Sequence, residues 1–92
     1  MLSSSERKAL KARAHKLDPV VQIGAKGLTE EVVAEIELAL KAHELIKVRA
    51  GSLQRDDRDS LWKAIAARTG AQEVQQVGKI VVLYRKRSDD QA

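Results

Sequence analysis

The chain has 92 residues, 43% hydrophobic and 33% charged, with a formal net charge of +4 and no cysteine. That length makes one domain, able to bury roughly 60–70% of its unfolded surface. The missing cysteines exclude disulfides, zinc ribbons and thiol chemistry, while the basic balance suits a polyanionic partner without requiring one.

Ser3 to Ser5 followed by "ERKALKARAHKL" predicts a capped first helix of strong helix formers. Leu10, Ala14 and Leu17 give it one apolar face, and Arg7, Lys8, Lys11 and His15 gather on a neighbouring face. Asp18-Pro19 stops it, because the residue before proline is pushed out of the helical region. The opening "MLSSSERKALKARAHK" lacks an apolar core and contains Glu6, so no secretory signal and a cytoplasmic location are expected.

Val20 to Ile23 reads as a short β-branched strand. It runs into Gly24-Ala25-Lys26-Gly27, and then a second helix begins with Thr29 as N-cap, Glu30 and Glu31 in its first turn, and Leu28 and Val33 in the positions of a hydrophobic staple. Val33, Ile36 and Leu40 mark its core stripe, and it ends near His43. Leu45 to Ala50 alternates: Ile46, Val48 and Ala50 share one face, Lys47 and Arg49 the other.

Gly51 and Ser52 break that strand. "RDDRDSLWKAIAARTG" predicts a third helix with Leu61 and Ile65 inward and Gly70 at its C-cap. Glu73 to Val77 is a strand, Gly78-Lys79 a tight turn and Ile80 to Arg85 the last strand, whose unbroken "IVVLY" argues for a central place in the sheet. That run is the longest apolar one, far below the ~20 residues that span a bilayer. The domain is expected over residues 1–87, with a flexible polar tail at 88–92. The sum is a two-layer α/β domain: three helices and a four-stranded mixed sheet, in the order helix, strand, helix, strand, helix, strand, strand.

Catalytic candidates are thin. His15 sits among helix cations and His43 at a helix end, neither with a Ser or Asp at the spacing of a triad or metal site. The glycine loop is not a P-loop, which needs Lys directly before Ser or Thr, and it lacks the third glycine of a dinucleotide loop. Its position is the informative part, because free N–H groups and a helix dipole at a strand-to-helix junction attract phosphate. Glu30 and Glu31 would repel that phosphate, so it is expected against Gly24 to Gly27 and away from those carboxylates. Trp62 and Tyr84 are the only aromatics, too few for a base-stacking platform. Trp62 is expected partly buried, and Tyr84 in the sheet with its hydroxyl at a strand end. A nucleic acid would then be held by backbone and shape, with modest sequence specificity.

"KLDPVVQIGAKGLTEEVVAEIELALKAHELIKVRA" and "IAARTGAQEVQQVGKIVVLYRKR" resemble the CRM domain, named for chloroplast RNA splicing and ribosome maturation, in its stand-alone bacterial, YhbY-like form. The likeness covers about residues 3 to 87 and rests on the strand into G-x-x-G-L-T, "HELIKV", "TGA" and the "VGK-IVVLYR" hairpin. It implies a fold similar to the C-terminal domain of translation initiation factor three, and a loop that clamps an RNA backbone as in KH domains. The residues so implied are Gly24, Ala25, Lys26 and Gly27, together with Arg7, Lys8 and Lys11 of the basic first helix. It further implies structured RNA as partner (ribosomal RNA or a large-subunit precursor), a role in ribosome assembly, no catalysis, and no cofactor, metal or small-molecule substrate. A monomer is expected.

Two other readings stay open at this point. A non-catalytic adaptor docking on ribosomal or other proteins would expose a contiguous apolar patch, whereas an RNA binder should gather Arg7, Lys8, Lys11 and Lys26 on one face. A small phosphate-handling hydrolase would need an acid or metal ligand aimed at Gly24 to Gly27, and the sequence offers none.

Overall fold

The computed structural model describes residues 2–86. The expected domain boundary at 87 and the expected tail at 88–92 lie outside them. Ser3 caps α1 (Ser4–Ala14): its hydroxyl accepts from the Glu6 N–H, and the Glu6 carboxylate accepts from the Ser3 N–H. Hydrogen bonding from the Ser3 backbone, then from its side chain, holds the Glu6 carboxyl below the usual range. The helix closes sooner than its pattern suggests. Lys16 and Leu17 donate to Arg13 and Ala14, three residues back, which tightens the chain before Asp18-Pro19.

The other elements are β1 (Val21–Gln22), α2 (Glu30–His43), β2 (Leu45–Arg49), α3 (Arg55–Thr69), β3 (Gln72–Val77) and β4 (Ile80–Tyr84). Gly70 ends α3 at φ 75°, the left-handed conformation glycine adopts without strain. The sheet order is β1-β2-β4-β3. β1 and β2 are parallel, while β4 is antiparallel to both β2 and β3. β2 and β3, linked through α3, thus run the same way with β4 inserted between them, the internal place its sequence demands.

Alternation along the strands builds two cores. Val21, Ile23, Ile46, Val48, Ala50, Val81 and Leu83 pack with Ile36 and Leu40 of α2 and Leu61, Trp62 and Ile65 of α3. On the opposite face Leu45, Val74, Val82 and Tyr84 meet Leu10, Ala14 and Leu17. The expected two layers are the sheet with α2 and α3, and α1 adds a partial third layer behind the sheet. Trp62 differs from expectation: it is 1% exposed, deep in the larger core, and its indole N–H meets no acceptor among the described residues.

Two arginines lock the elements together. Arg85 Nη1 donates to both Glu37 carboxylate oxygens (2.9 and 3.0 Å) and to the Thr69 carbonyl (2.7 Å), joining β4 to α2 and α3. Arg58 donates to the Leu53 carbonyl at 2.7 Å, fixing the β2–α3 loop.

Candidate nucleic-acid interface

The Gly24–Gly27 loop leaves the sheet where β1 ends beside β2, with the Ile23 N–H donating to the Arg49 carbonyl at 2.7 Å. The Gly27 N–H closes the turn onto the Gly24 carbonyl (3.0 Å), and the Thr29 N–H donates to the Gly27 carbonyl (3.1 Å). The backbone N–H groups of Gly24, Ala25 and Lys26 have no partner among the described residues. They lie just ahead of α2, whose Thr29 cap accepts from the Val32 N–H at 3.2 Å. Successive free donors at a helix N-terminus are what an oxyanion binds.

The two glycines are there for different reasons. Gly27 has φ 75°, so a side chain would be strained. Gly24 has an ordinary φ, and a Cβ added to it would meet nothing within 4 Å. The backbone therefore favours glycine at 27, while the fold has no use for it at 24, where the missing side chain only keeps the approach to the backbone clear.

Beside Gly24 lies a polar cleft of about 430 Å³ lined by Gln22, Ile23, Gly24, Arg49, Gly51 and Ser52. The Arg49 guanidinium lies along Gly51, where a Cβ would stand 3.3 Å from its Nε. A second cleft, about 170 Å³, opens between α1 and the sheet; Lys11, His15 and Lys47 are among the residues around it. Lys47 and Arg49 alternate on β2, so both project from the same face, roughly 6–7 Å apart along the strand. The outer face of β2 thus connects the loop to the basic side of α1. Lys79 joins the same end of the sheet, since its carbonyl accepts from the Ala50 N–H at 2.9 Å.

The expected residues divide. Gly24, Ala25 and Lys26 are exposed in the loop with Gly27 half-buried, and the Lys8 and Lys11 side chains make no ion pair or hydrogen bond among the described residues. Arg7 is engaged instead. Its Nη1 donates to the carbonyls of Glu73 (2.7 Å) and Val74 (2.9 Å), at the bulge between Glu73 and Gln75. It seats α1 on the sheet edge. Lys47, Arg49 and Lys79 were not assigned to the site from sequence, although the alternation of "LIKVRA" already put the first two on the polar side of β2.

Charge near the loop is also arranged. Glu30, first residue of α2, is paired with Arg68 of α3 at 3.0 Å. The hydrogen bond from Arg68, ahead of its charge, holds the Glu30 carboxyl below the usual range. Both side chains are exposed, so the pair contributes little to stability. Its effect is to offset a carboxylate that would oppose an anion. Among the described residues, no group of three or more His, Cys, Asp or Glu could hold a metal ion, and no helix is long and apolar enough to cross a membrane.

The family model of the CRS1 / YhbY (CRM) domain matches residues 2–85. The chain belongs to the CRM domain family. A Haemophilus influenzae relative, named an RNA-binding protein, is 49% identical over 84 residues, covering 91% of this chain and 85% of its own. A Bacillus subtilis relative, named a probable RNA-binding protein, is 31% identical over 90 residues, covering 98% and 94%. In solution a Staphylococcus aureus protein put forward as an RNA binder has the same fold, with a TM-score of 0.83, 32% identity and coverage of 98% of this chain and 94% of its own. The CRM fold is thus shared across the whole sheet and all three helices.

Proposed function

We propose that this CRM protein binds structured RNA through its sugar–phosphate backbone. Phosphate sits on the free N–H groups of Gly24, Ala25 and Lys26, with the Lys26 ammonium beside it. The strand then passes Arg49 and Lys47 on β2 and reaches Lys11 and Lys8 on α1. Arg7 serves this surface indirectly, by seating α1. The observation that carries the reading is the polar face of β2, which links the glycine loop and the basic helix into one surface. Membership in the CRM family and the names of the relatives support RNA as the polyanion.

The finer role we propose is association with ribosomal RNA or a precursor of the large subunit during ribosome assembly, by a cytoplasmic monomer acting without catalysis or cofactor. An adaptor role has less support. Among the described residues the exposed large hydrophobics, Val20, Leu38 and Val77, lie before β1, on α2 and on β3, on separate elements.

The test is a filter-binding titration of a structured RNA at several salt concentrations. Each neutralised phosphate steepens the salt dependence by a slope of about 0.7–0.9, so with roughly three to six contacts affinity falls steeply as salt rises. Gly24→Asp with Gly27→Asp should abolish that binding while circular dichroism still shows a folded chain, and Lys26→Ala should weaken it less. A flat salt response, or full affinity in the folded double variant, would refute the reading.

A further inference from the structure

The smaller cleft has a feature that backbone binding does not use. Ala14, Val77, Ile80 and Val82 give it an apolar floor, and Val77 is 58% exposed on an edge strand otherwise presenting glutamines and a glutamate. Gln75 lines the same cleft, half-buried, with no hydrogen-bond partner for its carboxamide among the described residues. Lys11, His15 and Lys47 complete the lining.

Size narrows the occupant. Sites that enclose a whole small-molecule ligand run to roughly 300–1,000 Å³, and this cleft is about 170 Å³, room for one flat ring system but not a whole nucleotide. An apolar slot bordered by cations suits an unpaired base: its ring lies on aliphatic carbon, its phosphate meets the lysines, and its edge hydrogen-bonds. A carboxamide offers a donor and an acceptor side by side, the pairing glutamine makes with adenine.

We infer that this cleft holds one unpaired nucleobase of the bound RNA and that Gln75 reads its edge. The inference rests on the RNA-binding reading and goes beyond it, since backbone contacts alone carry no sequence information. The chain then discriminates among bases at one position, with adenine preferred.

The experiment uses an RNA hairpin with a single bulged nucleotide, made in four versions. Wild type should bind the adenosine version at least about fivefold more tightly than the weakest, the lower end of what a two-bond pair discriminates. Gln75→Ala and the isosteric Gln75→Glu should level the four, and Val77→Ser should weaken the preference. Lys47→Gln should weaken all four versions alike. Gln75 and Val77 lie outside the larger core, so thermal melting should match wild type for these variants, and the two Gln75 substitutions check one another. Equal binding of all four by wild type, or a preference that survives both Gln75 variants, would overturn the base site while leaving backbone binding intact. Failure of every version to bind at low salt would overturn the RNA reading, and the base site with it.

Discussion

The two faces of the sheet are made from the same strands and do opposite work. Toward α2 and α3, alternate residues of β1, β2 and β4 are apolar and sealed; Ile36, Leu40, Val48, Ile65, Val81 and Leu83 are all 0% exposed. Toward α1, the close packing is limited to the cluster around Leu45, Val74 and Val82, and the rest of that face carries Lys47, Arg49 and Gln75 beside the less covered Val77 and Ile80. One helix covers half a face where two cover a whole one. The uncovered half is where β2 can present charge without burying it, and the sealed face keeps those strands in position.

The comparison breaks most visibly at the core. Ile36→Ala should cost about 2–5 kcal/mol, the range for deleting a buried aliphatic side chain, read by urea denaturation, with RNA affinity of the folded protein unchanged. On the open face, Lys47→Gln with Arg49→Gln should leave stability within about 0.5 kcal/mol of wild type. It should cost about 1–3 kcal/mol in RNA affinity and, if each side chain neutralises one phosphate, lower the salt slope by roughly 1.4–1.8. If instead the double change melted the protein early, the open face would be structural.

Arg7 sharpens the division within α1. Its guanidinium holds two backbone carbonyls at the β3 bulge, so Arg7→Gln should lower stability by about 1–2 kcal/mol and weaken RNA binding chiefly through α1. Lys8→Gln and Lys11→Gln should do the reverse, sparing the melting temperature and lowering affinity.

How far this was legible in the sequence follows from the range of each contact. Capping at Ser3 and Thr29, the left-handed Gly70, the alternation of β2 and the internal place of β4 are local patterns, and each appears where the chain suggests it. The placement of α1 is not local. Its stripe of Leu10, Ala14 and Leu17 could have covered either face of the sheet. "IVVLY" held the clue, because a strand apolar at every position needs cover on both sides, and Val82 and Tyr84 need a helix opposite the one that covers Val81 and Leu83. Arg7 looks like its lysine neighbours in a helical projection, and only the fold brings it to carbonyls of β3. Trp62 was underestimated because a lone aromatic in a charged helix gives no sign of how deep its face lies.

The glycines give a finer contrast. Gly27→Ala should cost about 1 kcal/mol, since an L residue is strained at its left-handed φ. Gly24→Ala should leave the melting temperature unchanged and lower RNA affinity alone, because its Cβ meets only open space. Equal affinity for Gly24→Ala and wild type would show that nothing approaches that backbone.

The smallest effect belongs to the pair beside the loop. Glu30 has a lowered pKa in the folded chain, so its contribution is present above the usual carboxylate range and is lost as pH falls through the lowered value. Arg68→Gln should return the Glu30 titration, followed by NMR, toward the usual range and weaken RNA binding slightly by leaving a bare carboxylate next to the loop.

The most direct measurement is an NMR titration of the isotope-labelled chain with a structured RNA, following each backbone amide. The predicted result is that shifts concentrate at Gly24, Ala25, Lys26, Lys47, Arg49, Lys8 and Lys11, while the outer faces of α2 and α3, marked by Leu38 and Lys63, stay still. Shifts gathered on those outer helical faces, with the loop and β2 unmoved, would contradict the account.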